Sequence, residues 1–275
     1  MSRIHRSLAI LLALATCTAG ALTACGSDDG SADETTTTTA AAGDTTDSST
    51  DGSDPADAEL ASFCDPYVDV TVMLSGEPDP DALTAAVDEV EANVPDSIGD
   101  SVDVMVAAVR SVLDSGGQDF SAFETPEFAD AQAEVDPFVF ENCEFDSTVE
   151  VSGIDFGFEG LPETIDQGRV AILFTNDGTE AHEIAVMRRN DGVTESFEEL
   201  LALPEEEAME KVTPVGGAFA AENGAQGLLV GDFEPGDYIA ICFIPAGSVS
   251  SDGAITEGTG APHFTHGMQQ EFTVS

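Results

Sequence analysis

The chain has 275 residues, with 54 Asp or Glu against seven Lys or Arg and a formal charge of −47. Nucleic acid is excluded as a partner, because phosphate binding needs clustered cations. The acidity implies a solvated, non-aggregating surface and, if it selects any protein partner, a basic one.

Arg3 and Arg6 precede the apolar run LAILLALATCTAGALTA, which is short for a membrane span and is flanked like a secretory signal. Leu22-Thr23-Ala24-Cys25 resembles the lipobox of bacterial lipoproteins. That resemblance implies a signal peptide over 1–24, cleavage before Cys25 and lipidation of its thiol. The mature chain is then anchored to the cell membrane on the extracytoplasmic side; an ordinary signal peptide beside a chance cysteine is the alternative. Residues 25–57 lack aromatic residues and, up to there, any aliphatic side chain larger than Ala, and they are rich in Asp, Thr and Ser. They cannot bury enough apolar area to offset ordering and read as a disordered tether, with a reach of roughly 30 Å.

Residues 58–146 read as a small helical domain. PDALTAAVDEVEANV places Leu83, Val87, Val90 and Val94 on one face. DSIGDSVDVMVAAVRSVLDSGG does the same with Ile98, Val102, Met105, Val106 and Val109, and stops at Gly116-Gly117. A further helix is expected from Glu127 to about Phe140, opened by Pro126. The first helix, through Phe63 and Tyr67, is expected to break near Pro66.

From Ser147 the period changes to two. TVEVSGIDFGF, GRVAILFTNDG, HEIAVMR, GLLVGDF, GDYIAICF and QEFTV read as strands between Gly, Asn and Asp turns. Residues 147–275 are therefore expected to form a Greek-key antiparallel β-sandwich, making the whole an α+β multidomain protein. SFEELLALPEEEAMEKV interrupts the strands with one or two short helices, opened by Ser196 and Glu199 at capping-box spacing.

Cys17 leaves with the signal and Cys25 is lipidated. Cys64 and Cys143, near the two ends of the helical domain, are expected to form a disulfide, since an exported compartment permits one; two free buried thiols are the alternative. Cys242 is left over. Its bland reading is a small buried hydrophobe on an alternating strand. Its sharper reading comes from its neighbours: all three histidines beyond the signal, His182, His263 and His266, fall in the β-domain, two of them near Met268. Thiolate, imidazole and thioether together select copper.

PGDYIAICFIP, HFTHGM followed by QQEFTV, and NDGTEAHEIAV occur here in the order and at the strand ends that resemble the cupredoxin (type 1 blue copper) superfamily, over residues 148–275. The resemblance implies His182, Cys242 and His263 as equatorial ligands of one type 1-like copper ion and Met268 as the axial ligand, with His266 an exposed edge residue or an alternative ligand. The departure is FIPAGSVSSDGAITEGTGAP, about twenty residues where the family has a handful. The extra loop closure costs roughly 1.4 kcal/mol, small beside metal-binding energies. The composition suggests an excursion leaving after Pro245 and returning at Pro262.

Three functions follow: single-electron transfer at the cell surface with a redox partner protein, Cu(I) binding or handling with a copper-donor partner, or a copper-free sandwich serving as an interaction module. An enzyme is not expected. No serine is placed beside a base, there is no nucleophile-elbow pattern, and the acidic stretches lack the order of a calcium loop.

Overall fold

The computed structural model describes residues 55–76, 79–251 and 254–275. The expected signal peptide, the lipidation site at Cys25 and the tether up to residue 54 lie outside the described residues.

Four helices come first: α1 (Pro55–Leu74), α2 (Pro80–Asn93), α3 (Gly99–Asp114) and α4 (Pro126–Asn142). Helix α1 begins at Pro55, so the last three residues assigned to the tether are helical. The expected break at Pro66 does not occur; Pro66 sits inside α1. Proline removes one N–H donor, but Phe63, Cys64, Tyr67 and Val68 on either side of it are all buried, and that packing carries the helix through. The remaining termini follow local chemistry. Asp79 caps α2 by accepting from the Asp81 N–H at 2.9 Å, and the Thr125 hydroxyl caps α4 from the Phe128 N–H at 3.2 Å. Beyond α3, Gly116 and Gly117 take φ of 67° and 78°, the left-handed backbone that ends a helix at low cost only in glycine. Of the apolar faces read from the sequence, Leu83, Val87 and Val90 on α2 and Val102, Val106 and Val109 on α3 are buried, while Val94 and Met105 are half-buried. Cys64 and Cys143 are bonded, with Cα atoms 5.5 Å apart and a sequence separation of 79, a closure that stabilises the fold by about 4 kcal/mol.

The second domain is a two-sheet sandwich. One sheet has the order β2-β1-β4-β7, from β1 (Ser147–Ile154), β2 (Gly157–Glu159), β4 (Gly168–Asn176) and β7 (Gln226–Phe233). The other runs β3-β11-β8-β5-β6, from β3 (Thr164–Ile165), β5 (His182–Arg189), β6 (Val212–Ala220), β8 (Gly236–Ile241) and β11 (Gln269–Val274). A two-stranded ribbon of β9 (Val249–Ser251) and β10 (Ala254–Thr256) stands apart. Most neighbours pair antiparallel, but β1 runs parallel to β4 and β3 parallel to β11. Period-two alternation specifies which face a residue occupies and not the direction of the neighbouring strand. Between β5 and β6 lie the short helices α5 (Phe197–Leu201) and α6 (Glu205–Met209), and α5 opens with the expected Ser196–Glu199 capping box.

Both sheets are covered on both sides. Val170, Ile172, Phe174, Ile184, Val186, Leu229 and Tyr238 fill the space between them. The alternate residues of the first sheet, Ala171, Leu228 and Val230, pack into the core of the helical domain. Those of the second, Ala185 and Met187, pack against Phe197 and Leu200 of α5. Double coverage is why AILF and GLLV are apolar at both parities. Asp136 of α4, itself buried, accepts the Leu228 N–H at 2.8 Å and so satisfies a donor on the β7 edge that no strand covers.

Candidate metal centre

His182 opens β5, Cys242 directly follows β8, and His263 opens a single turn, His263–His266, in front of β11. All three are fully buried, and one ligand atom from each lies within 4.8 Å of the others. The two ring Nδ1 atoms are 3.1 Å apart, and His263 Nδ1 is 3.4 Å from Cys242 Sγ. Three ligands each about 2.0–2.3 Å from a shared ion would stand roughly 3.5 Å from one another, close to this spacing.

The backbone fixes that convergence. Asn176, buried at the end of β4, accepts the Gly178 N–H at 2.8 Å and donates to the Glu180 and Ala220 carbonyls, folding the turn that leads into His182. Cys242 donates its N–H to the Met268 carbonyl and accepts from the Phe264 N–H, while the His263 N–H reaches the Ile244 carbonyl. The long connection leaves and returns where the sequence suggested: Pro245 and Pro262 pair as an antiparallel bridge, and the Ala246 N–H bonds the Ala261 carbonyl at 3.0 Å. Beyond these pairs the connection carries the β9–β10 ribbon.

The outward sides of both rings face carboxylates. His263 Nε2 is 3.0 Å from Glu180 Oε2, and the Gly247 N–H holds the same oxygen. A carboxylate at Nε2 fixes the proton there and leaves the Nδ1 lone pair pointing inward. His182 Nε2 lies 3.4 Å from Asp155 Oδ1 without hydrogen-bond alignment. Asp155 is itself anchored by the Thr179 N–H and hydroxyl at 2.8 and 2.9 Å, and that backbone bond holds its carboxyl below the usual range. Burial, and then the neighbouring His263, push the His182 pKa down. Two inward ring nitrogens at 3.1 Å repel unless a proton or a cation sits between them, and a soft cation also satisfies the sulfur. Burial first, and then the Glu183 charge, push the Cys242 thiol up to about 12.

Met268 is fully buried among the sandwich core residues. Space for it and for Phe174 depends on Gly153: a Cβ there would meet the Phe174 ring at 2.5 Å and the Met268 methyl at 3.3 Å. His266 is exposed and lies outside the converging group; its ring packs on Phe156, centroids 4.9 Å apart. Phe156 also meets His263 edge-on at 5.1 Å and sits at φ 65°, uncommon for a bulky residue. Asp155, Phe156, Gly178 and Glu180 were not singled out in the sequence, because each is ordinary in a loop until the fold brings it to a ring nitrogen. A side chain at Gly178 would collide with the His182 ring and Asp155.

The donor set, two imidazoles and a thiolate, fits one type 1-like copper ion.

No family model and no curated protein matches the chain. Among solved structures it is similar to reduced auracyanin from Roseiflexus castenholzii, at 16% identity over 47% of this chain and 96% of that one, TM-score 0.30. Auracyanin A, a "blue" copper protein from Chloroflexus aurantiacus, is 17% identical over 46% of this chain and 98% of that one, TM-score 0.29. Rusticyanin from Thiobacillus ferrooxidans is 17% identical over 46% and 77%, TM-score 0.28. The C-terminal domain is a two-sheet sandwich whose motif order resembles that of cupredoxins, with His182, Cys242 and His263 at a buried meeting point.

Proposed function

We propose that the protein holds one copper ion through His182, Cys242 and His263, with Met268 as a weak axial ligand, and passes single electrons outside the cytoplasm. The observation that carries this reading is the convergence of three buried ligand atoms within 4.8 Å. A bound copper ion of this type supplies a one-electron couple. The chain contributes rigidity: ligands fixed by β5, by the end of β8 and by the Pro245–Pro262 bridge move little when the charge on the ion changes.

Membrane attachment through Cys25 belongs to the same proposal. It is supported by the lipobox-like sequence and by the disulfide, which suits an oxidising compartment. Among the described residues no helix is long and apolar enough to cross a membrane. The partner is a redox protein, and the acidity of this chain favours a basic docking face on it.

The test is to add Cu(II) to the purified protein and record stoichiometry and spectrum. One copper per chain with an intense thiolate-to-copper visible band, absent in Cys242→Ser, supports the proposal. Bound copper without that band points to Cu(I) handling, and no bound copper leaves an interaction module; either result overturns electron transfer.

A further inference from the structure

A cavity of ≈ 320 Å3 lies between the helical domain and the sandwich, within the range of small-molecule sites, which favour such domain junctions. Side chains of α1, α2, α3 and α4 line one side, and β5, β6 and β7 line the other. The walls are mainly apolar, with Met105, Phe123, Phe128 and Leu228 among them. Phe123 and Phe128 meet edge-to-face at 4.8 Å, a geometry that presents aromatic surface.

Three carboxyl groups interrupt this lining, the exposed Glu124 and two buried ones. Asp136 comes from α4 and Glu183 from β5, at 3% and 6% exposure. Each accepts one backbone N–H, Asp136 from Leu228 at 2.8 Å and Glu183 from Phe243 at 2.9 Å, and Asp136 also bonds the Gln132 side chain. A carboxylate offers about four acceptor positions, so acceptor capacity remains in a chamber where no Lys, Arg or His is among the described lining residues. Burying a carboxyl group is costly, and the backbone N–H that each accepts uses only part of what a carboxylate offers.

Gly216 is an independent sign that the volume is kept open. Its φ lies outside the left-handed region, and an added Cβ would find nothing closer than 3.4 Å. Neither backbone strain nor crowding demands glycine there; its effect is to leave space.

We infer that this cavity binds a neutral, mostly apolar small molecule of about two fused rings, bearing a hydroxyl or amino group that donates to Asp136 and Glu183. The helical domain, which the copper proposal does not use, supplies most of the wall. The inference does not depend on copper, and its test runs on metal-free protein.

The probe is 1-naphthol, with 1-methylnaphthalene as the donor-free control. It is titrated into the full chain carrying Cys25→Ser, which keeps acyl groups and detergent away, in mildly alkaline buffer. The chain has no tryptophan, so Phe120→Trp at the cavity wall gives a single emission to follow. The expected result is saturation at one 1-naphthol per chain, at least about tenfold tighter than the control, as a charge-assisted hydrogen bond provides. Asp136→Asn combined with Glu183→Gln should erase that preference. Met105→Trp or Gly216→Val, each checked for an intact unfolding transition, should remove binding by filling the space. Absence of saturation, equal affinity for the control, or binding unaffected by whichever blocking variant remains folded overturns the inference.

Discussion

At the scale of single residues, the centre depends as much on what lies behind the rings as on the rings themselves. Glu180 meets His263 Nε2 and the Gly247 N–H with one oxygen, so it sets a ring orientation and a tautomer together. Such outer partners typically govern metal affinity by roughly 10- to 100-fold. Glu180→Gln is therefore expected to weaken copper binding within that range while leaving thermal unfolding of the metal-free protein nearly unchanged, as read by competition with a chelator. The opposite ring offers a steric test. Gly178→Ala places a methyl group against His182 and Asp155 and should displace the imidazole. Loss or marked change of the visible band at retained secondary structure is the expected outcome, because a ring in a close-packed site has nowhere to move without losing the ion.

At the scale of elements, the twenty-residue connection is a feature a sequence presents as a defect. Its ends are locked by the Pro245–Pro262 bridge, the Ala246–Ala261 bond and the Ala181 N–H bonded to the Ser248 carbonyl at 2.8 Å. The exposed Val249 and Ile255 belong to the ribbon above that base. Replacing residues 250–256 by two glycines should change copper affinity by no more than about threefold, since halving a loop alters its closure by about 0.6 kcal/mol. A larger loss in the chelator competition would mean that the ribbon itself holds the site. The same element shows what was legible in advance. The two prolines, the Gly- and Ser-rich stretch and the histidine near a Gly-Met pair are local signals, as are the capped and glycine-stopped helices, the period-two strands and the pairing of Cys64 with Cys143. The parallel pairing of β1 with β4 was not legible, because alternation carries no direction. Nor was the continuity of α1 through Pro66, where buried packing overrides a local rule, nor the carboxylates behind the ligands, which acquire meaning only from neighbours distant in sequence.

At the scale of the whole molecule, the helical domain and the sandwich share a core: Ala171, Leu228 and Val230 of the first sheet are buried among Phe63, Val68, Val135 and Val139. Asp136 sits in that junction, tied to Leu228 across it. Burial raises its carboxyl from an ordinary 3.8 to about 7, against the lowering effect of the Leu228 N–H. Between those two values the folded protein holds a proton that the unfolded chain has released, so this group's contribution to stability is full below about pH 4 and is lost as pH rises toward 7. A shift of about three units corresponds to an upper figure near 4 kcal/mol, and water reaching the cavity brings the expectation down to roughly 2 kcal/mol. Asn at this position keeps an acceptor for the Leu228 N–H and cannot ionise. Asp136→Asn should thus remove that share of the stability difference between about pH 5 and pH 8, with its gain over the parent confined to the higher pH, as measured by urea midpoints at the two values. Because the junction is common to both domains, the helical and sheet signals should move together in both proteins. Separate transitions, or an unchanged pH slope in the variant, would mean that Asp136 does not stay buried against β7.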